Sequence, residues 1–369
     1  MSRLNYALAD VDAAITAAVE RALMPPAMLA LYSRWWQLET WLRQLVYVEL
    51  RARDGAEWEG NLDAGTQKRL KQDRRHPYMA SPDWEDPLAY LDAGKLFELI
   101  EENWDLFGPT LLEQNVWSGR RAELLKIRHR IGHLRRPHQD DIGRLEQTLR
   151  DLEGGAFRAF SSYNHLRDPD TVDPSDPVVN DWLRGNHPDA ERLIKHAQSQ
   201  YDTHFRLRYS VRPWADSVAP GQRLSGQPGV LWHVTLNQMG RYTHVDELWR
   251  DYCMNERARE LLVHLLIPDE VTVRATFAAV DDPDEISEVI GRILDSVIAT
   301  SSWHLPERSR LDIMYDPLDD LPPLDPRVQI KTGWTFVDEY TRPDSIFRAS
   351  PYPLNPSPPA AGTMAEGSV

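Results

Sequence analysis

The chain has 369 residues, of which 41% are hydrophobic and 27% are charged, and its formal net charge is −15. So much apolar sequence can bury a full core, which excludes global disorder, and the length favours two domains. One cysteine, Cys253, excludes an internal disulfide framework and a metal site built from cysteines. No apolar run approaches the roughly 18 residues of a membrane-spanning helix, and the N-terminus lacks the apolar segment of a secretory signal. We therefore expect a cytoplasmic protein without a membrane partner.

Apolar residues recur at helical spacing throughout residues 1–160. Prolines and glycines interrupt this pattern and mark the connections between helices. The predicted helices cover 3–24, 27–52, 88–107, a segment with Ser118 as a possible N-cap that stops just past His133, and a segment capped by Asp140 or Asp141. Helices in this up-down order predict an all-α bundle over residues 1–160.

The second predicted helix, 27–52, has an apolar surface wider than one face. Its leucines recur at the spacing of a helix bundle, and Trp36, Trp41 and Tyr47 extend the apolar stripe around the helix. Two arrangements explain this breadth equally well. The helix lies at a dimer interface, or it occupies the centre of a bundle formed by one chain.

The composition changes to Asp, Pro, Asn and Ser over residues 161–190, which predicts a linker. Period-two alternation then predicts strands, and the order of elements predicts an α+β domain over residues 191–350 that regulates the bundle or recognises a partner or substrate. The strand candidates are 205–211, 230–236, 271–279 and 328–337, and the helical stretches lie near 245–265 and 284–299. The histidines of this half, interpreted as structural residues, are His204, His233, His244, His264 and His304. A proline-rich tail, 351–369, is predicted to be disordered.

A basic helix over residues 120–136 carries the candidate functional residues. Its apolar residues recur at helical spacing and predict one buried stripe, formed by Leu124, Ile127, Ile131 and Leu134. Six arginines and one lysine stand against a single glutamate in this segment, although the whole chain is strongly acidic. Such a local excess of positive charge indicates the binding of a polyanion.

Four residues of this helix form a chemical constellation. On a helical projection Arg128 falls beside the buried stripe, whereas His129 and His133 fall on the polar side and are predicted to be exposed. Gly132 falls between Arg128 and His133, so we expect the space there to admit a phosphate group. An arginine fork that matches phosphate oxygens beside a titratable imidazole is suited to chemistry on a nucleic-acid backbone.

Residues 128–133, Arg-His-Arg-Ile-Gly-His, resemble the signature of the HEPN superfamily, in which an arginine is followed by a polar residue, three further residues and a histidine. The segments 31–50 and 135–144 also look like bacterial HEPN proteins of the abortive-infection and RNA-surveillance type. The resemblance covers roughly residues 25–155. It implies a HEPN-like helical bundle and the activity of an endoribonuclease that serves as a toxin or as an anti-phage defence effector.

The 2′-hydroxyl of RNA is itself a nucleophile, so cleavage needs a base, an acid and a cation at the phosphate, and it needs no metal or cofactor. Arg128 and His133 lie about 140° apart around one helix, so one copy converges poorly. The resemblance implies a homodimer that brings two Arg/His pairs into one composite site. It makes His133 the proton-transfer residue and Arg128 the phosphate clamp. The residues expected to position the RNA are His129, Arg130, Arg135, Arg136 and His138.

Three alternatives remain beside this interpretation. The spacing of His129 and His133 suits a zinc site, although the glutamate of the His-Glu-x-x-His motif is absent. A HEPN domain could instead bind nucleotides or RNA, or scaffold a complex, without cutting. The basic helix could also be only the surface of a helical interaction module. For an active nuclease, we expect restraint by an inhibitor or antitoxin, by a defence-system partner, or by autoinhibition.

Overall fold

A helical region packs against a mixed sheet in the computed structural model, which describes residues 8–75, 85–253, 255–303, 325–330 and 346–347. The helices of the first region are α1 (Leu8–Glu20), α2 (Pro26–Asp54), α3 (Ala64–Asp73), α4 (Ala93–Glu102), α5 (Trp104–Phe107), α6 (Gln114–Gly132) and α7 (Asp141–Asn164). The helices of the second region are α8 (Pro177–Trp182), α9 (Ala190–Tyr201), α10 (Val245–Cys253), α11 (Glu256–Leu261) and α12 (Pro283–Thr300). The strands are β1 (Thr203–Val211), β2 (Val230–Gln238), β3 (Tyr242–Thr243), β4 (Leu262–Asp269), β5 (Thr272–Ala278), β6 (Ser301–Ser302) and β7 (Val328–Ile330).

Helix α2 is the centre of the helical region and matches the predicted helix 27–52. The helix begins at Pro26. The first N–H groups of a helix have no intrahelical partner, and proline has no backbone N–H that would be left unpaired. The broad apolar surface is covered by this same chain. Trp41 packs edge-on against Phe347, and Tyr47 packs edge-on against Trp58. Trp36 stays 59% exposed, so the described chain covers two of the three aromatic side chains.

Helix α6 differs from its prediction at one end. It begins at Gln114, so Ser118 lies inside the helix and is not its N-cap. It ends at Gly132 with His133 as the C-cap, close to the predicted end before Pro137. Helix α7 begins at Asp141, and the side chain of Asp140 makes no capping hydrogen bond.

The main sheet has the strand order β1-β2-β5-β4-β7, antiparallel throughout except for the parallel pair of β4 and β7. This α+β arrangement was predicted, and three of its strand candidates became β1, β2 and β5. The predicted helix 245–265 is wrong at its C-terminal end, where β4 begins at Leu262. The run from Leu262 to Ile267 is buried at every position, and periodicity alone cannot separate such a strand from a buried helix. Residues 328–330 of the candidate 328–337 form β7, and residues 331–337 lie outside the described residues, as do His304 and the predicted tail.

The helical region and the sheet share buried side chains. The carboxylate of Glu49 on α2 receives two hydrogen bonds from the Arg212 guanidinium, at 2.6 and 2.9 Å, and both side chains are fully buried. The Tyr47 hydroxyl donates to the Val263 carbonyl of β4 at 2.7 Å. Residues 161–190, predicted as a linker, contain the end of α7 and all of α8, whose Trp182 is 1% exposed. No helix in the described part of the chain is long and apolar enough to cross a membrane.

Candidate functional site

The C-terminal end of α6 presents the predicted site residues. Leu124 and Ile127 are buried as the stripe predicts, and Ile131 is half-buried. Leu134 is not part of that stripe and is 86% exposed. The reason is that α6 stops before it: the His133 N–H still bonds to the His129 carbonyl, but Leu134 adopts φ of +52° and turns out of the helix.

His129 and His133 form a stacked pair on the surface. Their ring centroids lie 6.0 Å apart with an angle of 12° between the ring planes, and both side chains are exposed as predicted. Across the described ranges, no group of three or more His, Cys, Asp or Glu side chains is placed to hold a metal ion. The pair therefore offers two accessible imidazoles without a third protein ligand from the described residues.

Arg128 turns away from this pair. Its guanidinium lies over Gly132, where an added Cβ would collide with Nη1 and lie 3.3 Å from Cζ. The expectation that Gly132 leaves space for a phosphate is therefore corrected, since a long flexible arginine side chain already fills that space. Arg128 lines a cleft that His133 does not line. In one copy the two predicted catalytic residues face different surroundings.

Much of the positive charge of α6 is neutralised by its neighbours. Arg120 pairs with Asp151 at 2.9 Å, and Arg121 pairs with Glu101 at 2.6 Å. Within the described chain, Lys126, Arg128, Arg135 and Arg136 form no ion pair. The cations available to a polyanion are thus those close to the end of the helix.

Arg130, predicted to position RNA, is engaged inside the protein. Its Nε donates to Oδ2 of Asp141 at 2.7 Å and its Nη2 donates to Oδ1, while Asp141 is only 1% exposed. Burial alone would raise the pKa of Asp141, but hydrogen bonds from Arg130 and from the His138 N–H outweigh it and lower that pKa. Arg130 therefore joins the end of α6 to the start of α7 and does not reach outward.

The remaining predicted RNA contacts are exposed. Arg135, Arg136 and His138 all lie on the segment between α6 and α7. His138 Nδ1 lies 3.5 Å from Asp140 Oδ2, an ion pair only when the imidazole is protonated. These three side chains and the stacked pair lie within ten consecutive residues of the chain, 129–138, and form one accessible basic surface.

The cleft beside Arg128 has a volume of about 570 Å³ and lies where α2, the end of α6 and the sheet meet. Aromatic side chains contribute a large part of its wall, namely Tyr32, Trp35, Trp36, Tyr47 and Trp58. The cleft could not be predicted from the sequence, because its walls come from segments far apart in the chain.

Most charged groups at the cleft already have partners. Arg43 donates to Glu39 and, at 3.2 Å, to the Leu91 carbonyl. Arg327 pairs with Asp325 at 3.1 Å, and Glu85 pairs with Arg259 at 3.3 Å. Burial, followed by the nearby Asp325 carboxylate, raises the pKa of Glu85.

His264 lies in the wall of the cleft and is 3% exposed. Its Nδ1 is hydrogen-bonded to the Tyr163 hydroxyl at 2.8 Å, and that hydroxyl donates to Thr276 Oγ1 at 3.0 Å. Thr276 in turn contacts His233 Nδ1 at 3.0 Å, and His233 Nε2 contacts Ser210 Oγ at 2.8 Å. Burial, and then the neighbouring arginines, lower the pKa of His264 to about 3. The imidazole is therefore neutral at neutral pH.

His264 was interpreted as one of several scattered structural histidines, and its place in this buried network agrees with that interpretation. Its position in the cleft was missed. The available signal was a single histidine within the otherwise apolar run 262–267, since a buried polar side chain needs a partner.

Comparisons of this chain with models of protein families, with curated proteins and with solved structures find no match.

Proposed function

We propose that this chain is a metal-independent endoribonuclease of the HEPN type that acts as a toxin or as an effector of anti-phage defence. The observation that carries the proposal is the accessible pair His129 and His133 on a basic surface at the end of α6. Histidine titrates near neutral pH, so as a residue type it can both accept and donate a proton. The exposed Arg135 and Arg136 support it by offering charge to an RNA backbone.

The proposed cleavage uses the 2′-hydroxyl of the substrate as nucleophile. His133 of one copy takes the hydroxyl proton, and the 2′-oxygen attacks the adjacent phosphorus. The bond between phosphorus and the 5′-oxygen breaks, and His133 of a second copy donates a proton to that oxygen. The products are a 2′,3′-cyclic phosphate and a 5′-hydroxyl. Arg128 stabilises the negative charge that grows on the phosphate oxygens.

A homodimer is part of the proposal, because Arg128 and His133 face different surroundings within one copy. A second copy would set the arginine of one chain against the histidine of the other. His129, Arg135, Arg136 and His138 would then position the RNA on either side. We also infer restraint in the cell by an inhibitor, an antitoxin or the C-terminal α+β region, since an uncontrolled nuclease harms its host.

The proposal is tested on total RNA in EDTA with wild type, His133→Ala and Lys126→Ala. Lys126 is an exposed cation of the same helix that lies away from the cleft, so its variant controls for lost charge. We expect cleavage by wild type and by the control, with cyclic phosphate ends, and a loss of at least about 100-fold in His133→Ala. Equal cleavage by wild type and His133→Ala would contradict the mechanism.

The composite site has a separate test. An excess of His133→Ala should suppress cleavage by wild type, because a mixed dimer holds only one of the two His133 side chains that the proposed cleavage uses. Full wild-type cleavage in mixtures shown to exchange subunits would exclude a shared site.

A second candidate is a HEPN domain that binds RNA or nucleotides, or scaffolds a complex, without cutting. The turn of Arg128 into the cleft, away from His133, favours this candidate. It predicts that wild type retains RNA in a filter-binding assay while the RNA stays intact.

A further inference from the structure

The cleft between α2, the end of α6 and the sheet has the properties of a small-molecule site. Its volume of about 570 Å³ falls in the usual range for ligand pockets. The walls combine apolar and aromatic side chains with a small number of polar groups, as such pockets do. Of the residues proposed for the nuclease, Arg128 lines this cavity, whereas His129 and His133 do not.

Open aromatic surface lies at one side of the cleft. Tyr32 is 54% exposed and Trp36 is 59% exposed, and their ring centroids lie 6.2 Å apart at an angle of 38°. They stand one turn apart on α2, and the less exposed Tyr47 and Trp58 line the same cleft. A flat ring entering here meets exposed aromatic faces, and stacking on such faces is favourable for any planar ring.

One charge at the cleft is left for a ligand. Arg43 is paired with Glu39, and Arg327 is paired with Asp325. The charge of each guanidinium is therefore already balanced by a carboxylate of the protein. Arg128 lines the same cavity and makes no ion pair or hydrogen bond to any residue that the structure describes. A guanidinium without a protein partner binds one phosphate or carboxylate through two parallel N–H donors.

We propose that this cleft binds a small ligand made of one flat aromatic ring and one anionic group, with the ring against Trp36 and Tyr32 and the anion on Arg128. We expect one anionic group in the ligand, because the other two arginines of the wall, Arg43 and Arg327, are already paired with carboxylates. This inference goes beyond the proposed nuclease and shares Arg128 with it, but it requires neither a dimer nor cleavage of RNA.

The test is isothermal titration calorimetry of the full chain with four probes. Adenosine 5′-monophosphate and 1-naphthyl phosphate contain both a ring and an anion, adenosine contains only the ring, and ribose 5-phosphate contains only the anion. We expect the two complete probes to bind at least tenfold more tightly than the two partial ones. Binding of adenosine 5′-monophosphate but not of 1-naphthyl phosphate would support the proposal and narrow the ligand to nucleotides.

Two variants with matched controls assign the binding to this cleft. Arg128→Ala and Trp36→Ala should each weaken adenosine 5′-monophosphate at least tenfold. Lys126→Ala removes a cation from the same helix, and Trp303→Ala removes a tryptophan of equal exposure, 58%, that does not line the cleft. Both controls should bind as wild type does, and unchanged circular dichroism should verify the fold of all four variants.

Three results would overturn the proposal. They are no binding of either complete probe, equal binding of ribose 5-phosphate and adenosine 5′-monophosphate, and binding that is unchanged in both Arg128→Ala and Trp36→Ala. None of these measurements contains RNA, so a negative result here is distinct from a failure of the proposed nuclease.

Discussion

His264 is a titratable side chain held in its neutral form by its surroundings. Burial is the main cause, and the positive charges of Arg51, Arg212 and Arg327 add to it. His233, in the same hydrogen-bonded chain, also has a lowered pKa, for which burial is again the main cause. A neutral imidazole can donate at one nitrogen and accept at the other, which suits a continuous chain of hydroxyl and imidazole partners.

This residue predicts acid sensitivity with a definite sign. The pKa of His264 is about 3 in the folded chain, against about 6.5 for an unperturbed histidine. Between pH 6.5 and pH 3, His264 therefore binds a proton in the unfolded state but not in the folded state. Titration of His264 therefore leaves the free energy of unfolding unchanged above pH 6.5. It lowers that free energy as the pH falls toward 3, by up to about 1.4 kcal/mol per pH unit.

Urea denaturation between pH 7 and pH 4.5 measures this effect. The variant His264→Gln, which can still bond to Tyr163 but cannot titrate, should lose less stability on acidification than wild type does. His204→Gln, at an exposed histidine, should keep the wild-type dependence. Parallel curves for wild type and His264→Gln would show that His264 does not titrate on unfolding.

At the scale of the element, the orientation of Arg128 in the last turn of α6 depends on the absence of a side chain at Gly132. The Arg128 guanidinium occupies the volume that a side chain at position 132 would fill. The buried Asp141 carboxylate holds Arg130 on the other side of the turn. The helix therefore directs one arginine to the cleft and another into the protein.

Gly132→Ala should separate stability from function. Alanine is more favourable than glycine by about 1 kcal/mol inside a helix, and by less at the last helical residue, so thermal unfolding should stay unchanged or rise slightly. Arg128 must move, and we expect binding in the cleft and RNA cleavage to fall on the order of tenfold, about 1.4 kcal/mol. The control is Gly119→Ala on the same helix, where an added Cβ meets nothing within 4 Å. Wild-type binding and activity in Gly132→Ala would argue against a fixed role for the Arg128 orientation.

At the scale of the whole molecule, the helices and the sheet are joined by a buried ion pair. Glu49 on α2 accepts hydrogen bonds from Arg212 and from the Trp214 indole at 2.8 Å. Apolar side chains of the sheet, such as Leu231 and Leu266, belong to the same core as α2. Unfolding either region alone would expose this core and leave a buried charge without its partner.

Glu49→Ala should therefore destabilise the whole chain by roughly 3–5 kcal/mol, because the buried Arg212 loses the Glu49 carboxylate that balances its charge. Glu146→Ala removes the part-exposed pair with Arg34 and should cost about 1 kcal/mol or less. The measurement is urea denaturation followed by tryptophan fluorescence and by far-ultraviolet circular dichroism, whose transitions should coincide. A loss in Glu49→Ala no larger than that in Glu146→Ala would refute the coupling.

The sequence by itself determined the features that depend on local periodicity. The helix α2, the end of α6 before Pro137, and the strands β1, β2 and β5 follow from apolar spacing and from the conformations that proline excludes. The exposure of His129 and His133 follows in the same way, because neighbouring positions fix the face on which a helical side chain lies.

Only the tertiary structure decided which distant residues meet. Arg130 is hydrogen-bonded to Asp141, and Trp41 packs against Phe347. Arg128 lines a cleft together with aromatic residues of α2 and residues of the sheet. The assignment of β4 as a strand also required the tertiary structure. A segment that is buried on both faces does not alternate between apolar and polar residues, so its sequence does not distinguish a strand from a helix. These features depend on contacts between different elements, and the spacing of residues within one element does not encode such contacts.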